Sequence, residues 1–590
     1  MKPKIAGLDQ LDEKVRENVM RALKEGYDEH YKREIISLLK SNPQKLSDAF
    51  FQTLSFGTGG IRALMGVGTN RLNEYTIEFA TQGLANYIAT QPKKRTHHRV
   101  FISYDNRKNS FLFAKIAARV LAANDIEAYI VKNLRPTPIC SFGCIHYHCI
   151  AGIMITASHN PPDYNGYKVY WEDGAQVLPP HDKGIIHEVQ KINQLSQVKL
   201  TGIKNPLIHW VSEELDHVYI EMMKTLQNYP ENNRKKGHLL KIVYSNLHGT
   251  GITIVPQLLH SWGFRTLFLV KEQLATDPKF PGAKKPNPEE KDTLEMGVRT
   301  LCEKKADLFL ATDPDSDRVG VVISQDHMPI SFSGNQIACI CLYHLFQARE
   351  MPKNAAFVKT IVTTELFRAM CDHYQASCFD VLTGFKYIAQ KIREWEKTKE
   401  YQFIFGGEES LGYLLGTFVR DKDAATASGL IAEAALYAKG QGLTLYTLLK
   451  KIYAKFGVFR EKLSSISFSE GKESMLKMKK IMDSLRNNPP KEIHSIPVSI
   501  REDYLSGTSY DVAANQETKL TLPSSNVLRF WLEDKSKIVI RPSGTEPKIK
   551  IYVGAQKKEF QSVDIAIKEC DALLKELIQG LESHFERAGS

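Results

Sequence analysis

At 590 residues the chain is too long for one hydrophobic core, which stops growing at about 250–300 residues, so three to five domains are expected. Its composition, 43% hydrophobic and 25% charged, is that of an ordinary globular protein, and its net charge of +11 suits an anionic ligand but is too modest and scattered for a nucleic-acid face. With no run of about 18 apolar residues, no membrane span is expected; Met1-Lys2-Pro3-Lys4 leads into charged helical pattern, so no secretory signal is expected either, and nine scattered cysteines suit a reducing cytoplasm.

Charged periodic pattern over Leu11–Lys24 and apolar spacing over Glu34–Leu39 predict helices at the start. From Arg99 strands and helices alternate: a short strand at Val100–Ser103, a helix at Phe111–Ala123 and a strand at Ile126–Val131. A Pro-rich turn, a helix and the apolar run Ile150–Thr156 follow. Such alternation implies β-α units and a largely parallel sheet. A second unit follows, with a helix at Ser212–Leu226, strands at Lys241–Tyr244 and Thr266–Val270, the turn His248-Gly249-Thr250-Gly251 and a buried strand at Asp307–Ala311. A third begins after Ser333-Gly334-Asn335, with strands near Ala356–Val362 and Tyr401–Phe405. Beyond Gly457 the extended runs shorten, at Ser464–Ser467, Val527–Leu532, Lys537–Ile540 and Ile549–Val553, and a helix over Ser562–Phe585 closes the chain. The expected domains are 1–205, 206–325, 326–455 and 456–590: three α/β units and a smaller C-terminal α+β unit.

Cys140, Cys144, His146, His148 and Cys149 fall close enough together to invite a zinc reading. The spacing is not a paired C-x2-C, however. On a helix Cys140 and Cys144 share a face that His146 does not, so buried apolar cysteines are expected. Cys339 and Cys341 are read the same way.

Four polar clusters each follow or join strand-like runs, and in α/β sheets ligands gather beyond the carboxyl ends of strands. Thr156-Ala157-Ser158-His159-Asn160-Pro161 exposes a serine, with His159 and Lys168 able to supply positive charge or move protons; alone, such a serine most often caps a turn. Asp313-Pro314-Asp315-Ser316-Asp317-Arg318 crowds three carboxylates whose repulsion a hard cation such as Mg²⁺ relieves. The loop lacks the Gly and Glu positions of an EF-hand. In Gly406-Gly407-Glu408-Glu409-Ser410 two glycines are expected to turn the backbone sharply, presenting Glu408 and Ser410 to sugar hydroxyls. Arg541-Pro542-Ser543-Gly544-Thr545-Glu546-Pro547-Lys548 combines a bidentate guanidinium, hydroxyls and a glycine backbone into a phosphate cradle. Gly57-Thr58-Gly59-Gly60-Ile61-Arg62 lacks the ending of a P-loop but can bring backbone N–H groups and Arg62 to an anion.

Together, from Gly57 to Lys550, these motifs resemble the α-D-phosphohexomutase superfamily, in the family's own order. The resemblance implies four domains around a central cleft, a phosphoserine at Ser158, Mg²⁺ on Ser158, Asp313, Asp315 and Asp317, a sugar loop at Glu408 and Ser410, and a phosphate loop at Arg541, Ser543, Gly544 and Thr545. The extended N-terminus, Asn165-Gly166-Tyr167-Lys168-Val169-Tyr170-Trp171 and Asp421-Lys422-Asp423 look closer to the phosphoglucomutase and phosphopentomutase branch. The implied reaction moves phosphate between the 1- and 6-positions of a hexose through a sugar bisphosphate, glucose being favoured over mannose or a pentose. Arg62 and Arg318 would add positive charge, and Lys168, His159 and Lys422 are the candidate proton carriers. Lys168 is favoured among them, because the family places a lysine there, and a base role there needs burial or neighbouring cations to lower its pKa. The expected partner is a small phosphosugar, with no nucleic acid and no membrane. The competing readings are a phosphatase using the same serine and a non-catalytic basic binding protein.

Overall fold

The computed structural model describes residues 7–54, 60–93, 95–468, 472–543 and 548–589. They form two compact units. The first runs to Ser331 and takes in Ala389–Glu394 and Gly412–Leu436; the second holds Phe332–Ile388, Trp395–Leu411 and the chain from Tyr437 onward.

The first unit opens with helices Glu13–Lys24, Glu29–Ser41 and Pro43–Phe50. Asp28 and Asn42 start the second and third by accepting the Tyr31 and Lys45 amides, each at 2.9 Å. Their apolar stripes, including Val19, Ile35, Leu39, Leu46 and Phe50, close on one another in a small core of their own.

A six-stranded sheet follows, in the order Gly60–Leu64, Tyr164–Trp171, Ala151–Ile155, His98–Tyr104, Ile126–Val131, Ile208–Val211. The last four strands are parallel, and the first two run against their neighbours. Ala151–Ile155 is buried throughout, which is why it reads as an unbroken apolar run. Tyr164–Trp171, by contrast, carries Asn165 and Lys168 and does not read as a strand in the sequence. Gly166 lets it pass between its neighbours, since a Cβ there would lie 2.3 Å from the Thr156 carbonyl oxygen.

A second mixed sheet has the order Met328–Ser331, Val319–Gln325, Leu308–Thr312, Ile242–Ser245, Leu267–Leu269. Its Phe309, Val243 and Val322 pack with Leu294 and Leu301 of helix Lys291–Glu303.

In the second unit, Ser377–Val381, Ala355–Thr360 and Gln402–Glu408 pair in parallel in that order. An antiparallel sheet follows: Val458–Ser467, Lys548–Lys557, Lys537–Pro542, Leu528–Leu532, Ile496–Asp503, Thr508–Asp511, Gln516–Lys519. Helix Val563–Gly589 packs on it and against helix Lys472–Asn487. The expected α/β units with a smaller α+β C-terminal part are observed.

Two details differ from expectation. Gly406 and Gly407 do not turn: the strand continues through Glu408, in register with Val358 and Lys359. Their lack of side chains serves close packing, because a Cβ on Gly406 would stand 3.1 Å from both Ile388 and the Val358 carbonyl. The C-terminal unit also holds a helix, Lys472–Asn487, and three strands between Ile496 and Lys519 that the sequence pattern did not disclose. The outer strand Gln516–Lys519 is exposed on every residue, so no apolar alternation marks it.

Glu78, on helix Glu74–Ala89, gives a stability test. Burial, then the charge of Glu74, pushes its carboxyl up from 4.5 to about 7, with Arg119 opposing. The native state therefore holds an extra proton between these values. The contribution to stability is fully present below about 4.5 and lost as pH rises through about 7. Glu78→Gln should raise the denaturation free energy at pH 8 by roughly 1–3 kcal/mol, and the gain should shrink toward zero at pH 5. A loss, or an equal gain at both pH values, would contradict the assignment.

Candidate active site

The serine loop leaves the carboxyl end of Ala151–Ile155. Thr156 Oγ1 accepts the Ser158 amide at 2.8 Å, and Ser158 takes a left-handed φ of 53°, costly for a residue with a Cβ. Arg107 holds it there. Its Nη2 donates to the carbonyls of Ser158 (2.6 Å) and Asn160 (2.5 Å), and its Nη1 to those of Pro161 (2.8 Å) and Tyr164 (2.9 Å). Asp105 anchors the arginine in turn, with Oδ2 3.4 Å from Nε and Oδ1 accepting the Arg107 amide at 2.9 Å. Sequence reading missed Arg107, because a lone arginine after a strand carries no pattern.

The acidic loop leaves the end of Leu308–Thr312 and curls around Asp313, whose Oδ1 accepts the amides of Asp317 and Arg318, both at 3.0 Å. Thr250 grips the Pro314 carbonyl through its amide (2.7 Å) and its hydroxyl (2.8 Å). Gly249 must be glycine, since a Cβ would lie 2.3 Å from Pro314 Cα. Thr137 donates to Asp315 twice, amide to carbonyl and hydroxyl to Oδ2, each at 2.8 Å. Thr137, Gly249 and Thr250 were not singled out as site residues either.

The two loops meet. Ser158 Oγ donates to Asp313 Oδ2 at 3.0 Å and lies 3.1 Å from His159 Nδ1. Lys168 Nζ stands 2.8 Å from Asp315 Oδ2 and 3.6 Å from Asp317 Oδ2, and Lys422 Nζ stands 3.1 Å from Asp317 Oδ2. Arg318 flanks Asp317 at 3.8 Å, and Arg62 donates to Asn160 Oδ1 at 2.9 Å. The nucleophile candidate, three carboxylates and four cations thus share the first unit. Residues 57–59 lie outside the described residues.

The charges are strongly biased. Burial, then Asp315 and Asp317, pushes the Asp313 carboxyl well above the usual range. Burial opposes ionisation of Asp315 as well, but Lys168 and Thr137 more than offset it and hold that carboxyl low. Burial lowers the His159 pKa well below its ordinary value, with Arg318 and Arg62 adding to the effect, so the ring beside Ser158 is neutral. Burial also disfavours the Lys168 charge, yet Asp315 and Asp317 outweigh it and its pKa is raised.

The triplet suits a hard divalent cation. Ligand oxygens of Asp313, Asp315 and Asp317 lie within 4.8 Å of one another. Among the described residues, Asp315 Oδ1, Asp317 Oδ1 and Ser316 Oγ are buried without a hydrogen-bond partner, which leaves oxygen donors for an ion to take up. Among the described residues, this is the one such group of three. The cysteine cluster is built differently: Cys140 and Cys144 donate to the carbonyls of Ile153 (3.4 Å) and Trp171 (3.2 Å), and burial pushes both thiols up, away from the thiolate that zinc requires.

The second unit carries the other two motifs. Glu408 is buried at the strand end, its Oε1 accepting the Gly384 amide at 2.9 Å. The turn comes later, at Leu411 (φ 64°), with Ser410 half-buried before it. Gly334 makes room for the Glu409 carbonyl, 2.0 Å from where its Cβ would stand. Arg541 bonds the Tyr552 phenol, and the Ser543 amide donates to Lys548 O at 2.8 Å. Gly544 and Thr545 lie outside the described residues.

The sequence patterns of phosphoglucomutase/phosphomannomutase α/β/α domains I, II and III match residues 53–196, 217–326 and 333–456, and that of the C-terminal domain matches 511–567. The chain belongs to the phosphoglucomutase/phosphomannomutase family, within the α-D-phosphohexomutase superfamily. It is 38% identical over 517 residues to a phosphoglucomutase of Staphylococcus aureus (strain bovine RF122 / ET3-1), covering 88% of this chain and 92% of that one. It is 37% identical over 538 residues to the phosphoglucomutase of strain MRSA252, covering 90% and 96%. In fold it is similar to Paramecium parafusin, a phosphoglucomutase in an open form (TM-score 0.66, 17% identity, 90% and 96% covered). It is also similar to a family member from Burkholderia thailandensis (TM-score 0.63, 16% identity, 90% and 97% covered).

Thr137 provides the test of the cation site. Thr137→Val removes the hydroxyl that orients Asp315 while keeping the side chain's shape, and should weaken divalent-cation affinity about 10- to 100-fold by calorimetric titration. Unchanged affinity would show that the acidic loop holds its shape without it.

Proposed function

We propose that the chain interconverts hexose 1-phosphate and hexose 6-phosphate, with glucose as its sugar, through a phosphorylated Ser158 and a sugar bisphosphate. As a member of this family the chain is a phosphosugar mutase, an intramolecular phosphotransferase. The observation that carries the residue assignment is the Ser158 hydroxyl, 3.0 Å from Asp313 in the buried acidic triplet. The glucose preference is supported by relatives named phosphoglucomutase at 37–38% identity over most of the chain.

Ser158, Asp313, Asp315 and Asp317 would hold Mg²⁺, which supplies neutralisation of phosphoryl charge. Arg62, Lys168, Arg318 and Lys422 stabilise the negative charge that develops on the transferring group. In the forward step the sugar hydroxyl oxygen bonds to phosphorus, the Ser158 Oγ–P bond breaks, and the proton of the sugar hydroxyl ends on Ser158 Oγ. His159 is assigned to carry it, because its neutral ring stands 3.1 Å from that oxygen. In the second half Ser158 Oγ bonds to the phosphorus of the bisphosphate's other phosphoryl group, the bond from that phosphorus to the sugar oxygen breaks, and the serine proton passes through His159 to that oxygen, leaving phosphoserine and the isomeric sugar monophosphate. Glu408 and Ser410 are assigned to the sugar hydroxyls, and Arg541, Ser543, Gly544 and Thr545 to the non-reacting phosphate. The boundaries at 205, 325 and 455 remain our proposal for the division into domains. Nine free cysteines support a reducing, cytoplasmic setting.

Purified protein should be assayed on glucose 1-phosphate, mannose 1-phosphate, glucosamine 1-phosphate and ribose 1-phosphate, with Mg²⁺ and a trace of bisphosphate. Turnover should be highest on glucose 1-phosphate, chelation should remove it, and Ser158→Ala should lower it at least about 10⁴-fold. Phosphate release exceeding isomerisation would point to a hydrolase, and retained turnover in Ser158→Ala would remove the nucleophile assignment.

A further inference from the structure

The turn after strand Ile242–Ser245 contains a buried histidine that the chemistry above does not use. His248 is 1% exposed, at a left-handed φ of 62°. Its Nδ1 lies 2.9 Å from the Ala275 carbonyl oxygen, and its Nε2 lies 2.9 Å from that of Pro281. Both ring nitrogens thus face a carbonyl oxygen at hydrogen-bond distance. Alongside, the His248 amide donates to Gln273 O (3.0 Å) and Asn246 Nδ2 to Leu274 O (3.2 Å). The ring therefore ties both ends of the segment 275–281 to one point.

That segment reaches the serine loop. The Asp277 carbonyl accepts from Asn106 Nδ2 at 3.1 Å. Phe280, also 1% exposed, sets its ring 5.2 Å from the Arg107 guanidinium carbon, a cation–π contact with a desolvated cation. Arg107 is the residue that holds the carbonyls of Ser158 and Asn160. On the other side of the same turn, Gly249 abuts Pro314 and Thr250 grips its carbonyl. One short turn thus touches the acidic loop directly and the serine loop through two intermediaries.

We propose that His248 is a positioning residue. By clamping segment 275–281 it seats Phe280 on Arg107, and so sets the place of the Ser158 hydroxyl against the acidic triplet. In its kinetic part the inference rests on the mutase reading above. Its structural part does not, so the experiment reads both.

Full-length wild type, His248→Ala, His248→Gln and Phe280→Leu should be compared by hydrogen–deuterium exchange and by steady-state kinetics on glucose 1-phosphate. His248→Ala should speed exchange about tenfold or more at residues 157–164, where the amides of Ser158, Asn160 and Tyr164 are locally bonded. Helix Glu74–Ala89 should keep its protection. His248→Gln, whose single amide nitrogen cannot occupy both ring-nitrogen positions, should fall between, and Phe280→Leu should loosen 157–164 without releasing the Ala275 end. In each variant kcat should drop at least tenfold with KM within about threefold, as expected when a reacting group is misplaced. If His248→Ala unfolds, the same criteria apply to the other two variants. Faster exchange confined to 275–281, with 157–164 and kcat unchanged, would overturn the proposal. Loosening of 157–164 in a protein whose wild type shows no mutase turnover would uphold the clamp and remove the functional reading instead.

Discussion

Three carboxylates buried within 4.8 Å of one another repel strongly, and much of the first unit is arranged around that repulsion. Lys168 and Lys422 approach the triplet from two other stretches of chain, and two backbone amides fold in on Asp313. Even so, among the described residues Asp315 Oδ1 and Asp317 Oδ1 accept no hydrogen bond, and Asp313 is driven toward its protonated form. A site with such unmet donor capacity is suited to a cation, and then to the anionic group that a cation attracts.

The same crowding explains why the serine beside it is so heavily braced. Under the proposed function this hydroxyl exchanges a phosphoryl group, and it must then stay within hydrogen-bond reach of the carboxylates while its backbone sits in an unfavourable conformation. Arg107 meets this need with four carbonyl contacts, and Asp105, buried with it, fixes the arginine. The bracing continues outward to Phe280 and His248. Rigidity at the site is thus built from buried polar groups, which hold position well when fully paired and are costly when one partner is lost.

Much of the fold was legible in the sequence where strands are buried on both faces. Ala151–Ile155 and Leu308–Thr312 read as unbroken apolar runs, and both end in the polar motifs that form the site. Strands with another duty were harder to see. Tyr164–Trp171 has a lysine in its middle because that residue serves the acidic loop, and local pattern cannot distinguish such a strand from a loop. The glycines at 406 and 407 misled for a related reason. Glycine permits both a sharp turn and close packing between strands, and only the neighbours, here Ile388 and Val358, decide which.

The sequence by itself determined the residue types of the chemistry: a serine loop, an acidic triplet and basic motifs, each tied to a strand end and each in the family's order. It could do so because these residues are contiguous, and contiguous chemistry leaves a pattern. Only the tertiary structure decided that Ser158 meets Asp313 across 155 positions of chain. Tertiary packing likewise keeps Lys168 charged and His159 neutral, and makes Thr137, Arg107 and His248 part of the arrangement. Distances between remote segments, and the burial that shifts protonation, come from packing the whole unit, so no local stretch of sequence contains them.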